Sequence, residues 1–255
     1  MDNSSVLQSV ANDAGSAGTR QPLLYDVFCG DGGATKGYQR ADFRVIGIDN
    51  NPKVQRHYCG DGFILMDALE FLDQYIAGEF ERAEAFHASP PCKADNQAVI
   101  CRPEPDARTK YQRLIAPTRD RLTEIGLPYV IENVPLARNQ LINPLMLCGT
   151  MFGLKVRRHR YFETNFTIDT LLPSCGCKNK DGFTSSSSGI AHISSFENGA
   201  KLISVAGHNF KVKDAQVAMG IEWTGQAGLS QAIPPAYTEF IGKYLMIEVL
   251  RRRSE

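Results

Sequence analysis

A short apolar run, Leu23-Leu-Tyr-Asp-Val-Phe28, breaks into Cys29-Gly-Asp-Gly-Gly33, and the helix-compatible stretch Ala34-Thr-Lys-Gly-Tyr-Gln-Arg40 follows. A strand, a glycine turn and a helix in that order leave a chain few ways to fold. The alternation continues. A second strand candidate, Phe43 to Ile48, closes on Asp49, a helical stretch covers Ala68 to Ile76, and Ala85 to Ala88 gives a third short strand. A helix over Lys110 to Ile125 precedes Pro128-Tyr-Val-Ile-Glu-Asn-Val134. Strand and helix signals in alternation imply an α/β fold, a doubly wound and mainly parallel sheet with helices on both faces. In such a sheet the carboxyl ends of the strands line the ligand crevice, so Asp49, Cys92 and Glu132 can converge despite their separation in sequence.

Composition narrows the class further. With 255 residues, 43% hydrophobic and 22% charged, the chain buries one substantial core with a small annex, and disorder as its main state is excluded. The formal net charge is zero, so any surface for nucleic acid has to be local. Arg251-Arg252-Arg253 is one basic cluster, read as a solvated terminus. Seven irregularly spaced cysteines do not form a disulfide framework, and they point to a reducing, cytoplasmic setting. No apolar run is long enough for a bilayer. Residues 1–21, rich in Ser, Asn, Ala and Gly, read as a mobile leader.

Several residues can carry chemistry. The glycine turn offers backbone without side-chain bulk, which lets a nucleoside cofactor lie close to the main chain, although a turn without a ligand is an equal reading. No Gly-Lys-Ser/Thr ends the turn, which disfavours a nucleoside triphosphate. Asp49 can accept from both hydroxyls of a ribose, or cap a helix. Asp67 can meet an adenine amino group, or simply start the helix at Ala68. Cys92 follows Ser89-Pro90-Pro91, where backbone freedom is limited, and basic side chains nearby favour its thiolate. Glu132 ends a strand, where desolvation can keep its proton near neutral pH. In Arg157-Arg158-His159-Arg160, alternate residues of an extended segment project the same way, so Arg158 and Arg160 can face one anionic site together.

Taken in this order, the segments resemble the DNA cytosine-C5 methyltransferase family, as a small phage or bacterial type, over most of the chain from Leu23 to Leu250. Asp26-Val-Phe28-x-Gly30-x-Gly32-Gly33 is similar to that family's cofactor turn, Asp49 to its ribose acid and Asp67 to its adenine contact. Ser89-Pro-Pro-Cys92 is similar to the nucleophile loop, Glu132-Asn133-Val134 to the acid motif and Arg158-x-Arg160 to the paired arginines. Ala232-Ile-Pro-Pro-Ala-Tyr-Thr-Glu-Phe-Ile-Gly242 is similar to the segment that closes the cofactor pocket. The resemblance implies S-adenosylmethionine as methyl donor, with S-adenosylhomocysteine as product. It implies double-stranded DNA as partner, a flipped cytosine, and a monomer of the restriction-modification kind. It assigns Cys92, Glu132, Arg158 and Arg160 to catalysis. It assigns Asp26, Phe28, Cys29, Gly30, Gly32, Gly33, Asp49, Asn50, Asp67, Ala68 and Pro90 to the cofactor.

The implied organisation is a catalytic and cofactor-binding domain over 22–165, a small loop-rich target-recognition region over 166–228, and a return segment over 229–255. Three departures stand out. Lys93 follows the nucleophile where the family usually has Gln, which admits a cofactor with an extra anionic group. Gln231 stands near the usual Gly-Asn, and the recognition region is short, implying a short or relaxed target. Two other readings use the same scaffold: a methyltransferase for cytosine in transfer RNA, and a silent nucleic-acid-binding module. Cys175-Gly-Cys177 invites zinc, with His192 or His208 as partners. Its spacing is not that of paired Cys-x-x-Cys knuckles, so two free thiols are expected and no metal is assigned.

Overall fold

The computed structural model describes residues 20–91, 113–169, 171–178, 202–207 and 210–255. Cys92, Lys93, Lys110, His192, His208 and most of the expected leader lie outside them.

Seven strands form one sheet in the order β3-β2-β1-β4-β5-β7-β6. They are β1 (Leu23–Val27), β2 (Arg44–Asp49), β3 (Gly62–Leu65), β4 (Ala85–Ala88), β5 (Tyr129–Asn133), β6 (Leu145–Leu147) and β7 (Arg160–Thr164). The first five run parallel. β7 lies antiparallel to both β5 and β6. This is the expected α/β sheet, with an antiparallel edge. The winding reverses beside β1, because β2 and β3 extend to one side and β4 and β5 to the other. A crevice at the carboxyl ends of β1 and β4 is the natural ligand position in such a sheet.

The helices cover both faces because the strands alternate. Leu23, Tyr25 and Val27 point to one side, where they pack with Phe71 and Leu72 of α2 (Ala68–Ile76) and Leu122 of α3 (Ile115–Ile125). Leu24, Val45, Ala85 and Val130 face the other side. There they meet Tyr38 of α1 (Gly33–Arg40) and Tyr237, Ile241 and Leu245 of α6 (Pro235–Arg253). The expected return segment is thus largely this one helix, and it packs back on the sheet. Its terminal arginines are tied down: Arg251 and Arg252 pair with Glu248, and Arg253 with Glu84. Such positive charge suits a helix C-terminus.

A third cluster sits beside the sheet, built from Val156, Ile203, Val205 and Phe210 with Ala215, Ala218 and Met219 of α4 (Val212–Met219). Leu229 of α5 (Gln226–Gln231) completes it. Among the described residues, no helix is long and apolar enough to cross a membrane.

Candidate active site

The turn after β1 is held open by backbone geometry. Phe28 has a φ of 61°, uncommon for a residue with a side chain, followed by Gly30 at 49° and Gly32 at 86°. Cys29 N–H donates to the Ile48 carbonyl at 3.1 Å, locking the turn to β2. The glycines serve different purposes. A methyl at Gly32 would stand 2.8 Å from Cys59 Sγ, and one at Gly33 would stand 2.5 Å from the Ile233 carbonyl oxygen. Both glycines are therefore required by the protein's own packing. Gly30 faces open space, with nothing within 4 Å of the position a Cβ would take.

Asp49 lies across that opening. Its Oδ2 accepts from Gly30 N–H at 3.1 Å and its Oδ1 from Asn51 N–H at 2.9 Å. A carboxylate offers about four acceptor directions, so lone pairs remain for a ligand hydroxyl. Asn50 beside it is exposed. Asp67 is a helix cap: Oδ1 accepts from Leu69 N–H at 2.9 Å and Glu70 N–H at 3.3 Å. Its Oδ2 is left for other contacts, while Ala68 packs into the core.

Asp26 and Cys29 lie beneath the turn. Asp26 is fully buried, takes a 2.5 Å hydrogen bond from Thr35 Oγ1, and keeps Oδ1 without a hydrogen-bond partner. Burial pushes its pKa up to about 7, against the Thr35 hydrogen bond that lowers it. Burial likewise pushes the Cys29 thiol well above its ordinary range, so it is a neutral filler.

The strand ends on the other side of β1 build the second half. Buried Asn133 donates from Nδ2 to the Pro90 carbonyl at 2.9 Å, and its Oδ1 accepts from Val134 N–H at 2.9 Å. The end of β5 therefore grips the loop two residues before Cys92. A second brace runs from Tyr38 Oη to His87 Nδ1 at 2.9 Å and from His87 Nε2 to Ser89 Oγ at 2.9 Å. His87 is fully buried, which pushes its pKa down to about 3 and keeps the ring neutral.

Glu132 is 6% exposed. Burial raises its pKa, while Arg160, the Ser89 hydrogen bond and Arg158 oppose that rise. Arg160 Nε stands 2.9 Å from Glu132 Oε1. That oxygen nevertheless has no aligned hydrogen bond, so the pair is one of charge and the acceptor remains available. The carboxyl thus sits between two pressures, desolvation and a neighbouring cation, at a strand end in the crevice.

Arg158 is placed otherwise. Its guanidinium donates to the Val205 carbonyl at 2.5 Å and the Ser230 carbonyl at 2.9 Å, while Tyr237 Oη donates to the Arg158 carbonyl at 2.5 Å. It joins the third cluster to β7. Thr224 Oγ1 and Trp223 Nε1 donate to the Asp31 side chain and carbonyl respectively, tying that cluster to the glycine turn.

The structure therefore brings Gly30, Asp49, Pro90, Glu132 and Arg160 to one edge of the sheet. It sets Asp26, Cys29 and Ala68 behind that edge. Sequence reasoning missed Asn133 and Ser89 as braces, and His87 and Tyr38 altogether. The Glu-Asn pair itself was visible, but a buried histidine inside an apolar strand carries no signal of its partners.

No protein-family model and no curated protein sequence matches the chain. Solved structures do. An E. coli protein described as a prophage-encoded DNA modification methyltransferase aligns over 90% of this chain and 99% of its own, at 14% identity and a TM-score of 0.59. Entamoeba histolytica methyltransferase EhMeth aligns over 91% of this chain and 99% of its own, at 15% identity and a TM-score of 0.55. S. pombe Dnmt2 methyltransferase aligns over 92% and 100%, at 13% identity and a TM-score of 0.51. At these identities the likeness is one of fold: the chain shares the Rossmann-like α/β architecture of these three structures.

Proposed function

We propose that this chain is an S-adenosylmethionine-dependent cytosine-C5 methyltransferase acting on DNA, with Cys92 as nucleophile and Glu132 as acid. The observation that carries the reading is the grip of Asn133 on the Pro90 carbonyl beside Glu132, a carboxyl whose burial raises its pKa. It ties the acid to the loop that bears the thiol. The fold shared with three methyltransferases supports it.

The cofactor fits the residues present. Open space at Gly30 and the spare lone pairs of Asp49 suit a nucleoside, with Asn50 and the free oxygen of Asp67 along the same edge. Strained backbone at Phe28 is the kind of feature that clusters at functional turns. When bound, S-adenosylmethionine supplies a methyl group made electrophilic by its sulfonium.

The protein's task is to make a poor carbon nucleophilic. The Cys92 thiolate bonds to C6 of a cytosine swung out of the duplex, and the C5–C6 π electrons move to C5. Glu132 donates its proton to N3, so the ring gains no net negative charge. Arg160 holds the carboxyl at the crevice and neutralises it once the proton has left. After transfer the C5 proton passes to water, the C5–C6 double bond re-forms as the thiolate leaves, and the N3 proton returns to Glu132. The region 166–228, anchored by Ile203, Val205 and Phe210 in the third buried cluster, supplies a small recognition surface.

The test is transfer of labelled methyl from S-adenosylmethionine to DNA and to transfer RNA, with the wild type and Cys92→Ala. Duplex DNA containing 5-fluorocytosine, from which fluorine cannot leave as a cation, should trap the wild type covalently. Labelling of RNA alone would assign the other polynucleotide. Binding of DNA without transfer, unaltered in Cys92→Ala, would mark a silent module and sink the proposal.

A further inference from the structure

We infer that this chain carries a structural zinc site formed by Cys148, His159, Cys175 and Cys177. The four donor atoms come from three separated segments, yet all lie within 4.8 Å of one another. Cys148 Sγ stands 3.2 Å from Cys177 Sγ, and His159 Nε2 stands 3.3 Å from Cys175 Sγ. The three cysteines are free rather than bridged. Zinc bonds sulfur at ~2.3 Å and imidazole nitrogen at ~2.0–2.1 Å, so donors arranged tetrahedrally around it stand roughly 3.5–3.8 Å apart. The donor separations bracket that spacing, from 3.2 Å to at most 4.8 Å.

Its surroundings are built for ligation. Cys148 is fully buried just past β6, Cys175 precedes a short 3-10 turn, Gly176–Lys178, and Cys177 sits within it. Thr150 Oγ1 lies 3.4 Å from Cys148 Sγ and 3.7 Å from Cys175 Sγ, and takes a 3.0 Å hydrogen bond from Gly176 N–H. A hydroxyl aimed at two sulfurs and itself held by backbone is the outer support that fixes ligand orientation.

Three thiolates and one imidazole in a tetrahedron select zinc over the hard, oxygen-seeking cations. Four protein ligands leave no open position, so the ion is structural, not catalytic. On binding, each ligating thiol gives its proton to solvent and the sulfur lone pair to the metal. The expectation of two free thiols at 175 and 177 failed to include Cys148 and His159. Their spacing forms no sequence motif, because β6 and β7 bring them together across the sheet edge.

The consequence reaches the candidate active site. His159 lies between Arg158 and Arg160, and the ion would pin that backbone to β6 and to the segment ending at Lys178. The site does not depend on the methyl-transfer reading.

The test is elemental analysis of full-length protein grown with zinc supplementation, purified under reducing conditions and dialysed without chelator. One zinc ion per chain is expected, with near-complete loss in the Cys175→Ser/Cys177→Ser double variant and retention in Cys59→Ser. A variant that fails to fold is bypassed by exchanging cobalt into the wild type, which should show the absorption of a tetrahedral, thiolate-bound ion. Stripping with a strong chelator should lower the melting temperature, and zinc should restore it. Wild-type protein without stoichiometric metal, cobalt spectra lacking thiolate charge-transfer bands, or a Cys148–Cys177 disulfide in the freshly purified chain would each overturn the assignment.

Discussion

Replacing Asn133 with Ala isolates the link between the end of β5 and the loop proposed to carry the nucleophile. Asn133 is 2% exposed and makes two hydrogen bonds of 2.9 Å, one to the Pro90 carbonyl and one from Val134 N–H. Each partner stranded by the truncation costs about 1–3 kcal/mol when buried; Val134 is only partly buried, so the sum is about 2–4 kcal/mol. For a chain of this size that corresponds to a fall in melting temperature of roughly 5–15 °C. The catalytic consequence is larger than the stability loss implies. Releasing Pro90 lets the loop carrying Cys92 drift, and a displacement of about 1 Å can cost ~100-fold in rate. Single-turnover transfer of labelled methyl should show that loss in the chemical step, with substrate affinity little changed. Asn133→Asp sharpens the test. It keeps the acceptor for Val134 N–H, but sets an oxygen against the Pro90 carbonyl and a second carboxyl beside Glu132. Its activity should therefore fall at least as far as that of the Ala variant. An Ala variant with unchanged melting temperature and unchanged single-turnover rate would refute the brace.

Further outcomes follow from the same geometry. Glu132→Gln should lower the transfer rate by roughly 100- to 10,000-fold, the usual worth of a positioned acid; the wild-type rate should decline as pH rises through the raised Glu132 pKa, and a Gln variant of undiminished rate would remove the acid from the mechanism. Asp26 holds its proton to about 7 in the fold against an ordinary 3.8, so between those values the folded chain keeps a proton the unfolded chain has lost, and stability falls as pH rises. That window is worth about 4 kcal/mol, so urea unfolding of Asp26→Asn should gain on the wild type from pH 4 to pH 7, and a difference constant across the window would refute it. Glu163 is 1% exposed and accepts from Arg119 at 2.6 and 2.7 Å and from Ile142 N–H at 2.8 Å. Glu163→Ala should cost roughly 3 kcal/mol in denaturant unfolding, and an apolar Arg119→Met/Glu163→Leu pair should recover much of it; a double variant no better than the single would contradict that account.

The parallel half of the sheet was legible because its signals are local. Leu23 to Val27, the glycine turn, and Asp49 each announce a strand ending on polar groups, and the structure keeps them within a residue or two of the expected bounds. The turn's meaning was less legible. Gly32 and Gly33 were read as room for a cofactor, yet Cys59 and Ile233 occupy the space their side chains would need. Only contact with residues far along the chain decides which glycine serves a ligand and which serves packing. Asp67 shows the same limit from the other direction, since its helix-capping hydrogen bonds are now explicit. β3 and β6, of four and three residues, carry too few positions for periodicity to register.

The antiparallel edge explains why the arginine motif could be seen but not oriented. A parallel strand brings functional groups to the crevice at its carboxyl end, as β1, β2, β4 and β5 do. β7 runs the other way, so its first residue, Arg160, arrives at the edge where β5 finishes, and Asn133 pairs with Tyr161 in the register. β6 runs opposite to β7 and sets Leu147 against Arg160, which leaves Cys148 emerging at that same edge. One reversal of direction therefore places a cation against Glu132 and gathers the sulfur cluster a residue away from it. Periodicity reports whether a segment is a strand, but it is blind to which neighbour the strand will choose and hence to which end carries the chemistry. Removing the antiparallel pairing, without touching Glu132 or any cysteine, should disable both features together.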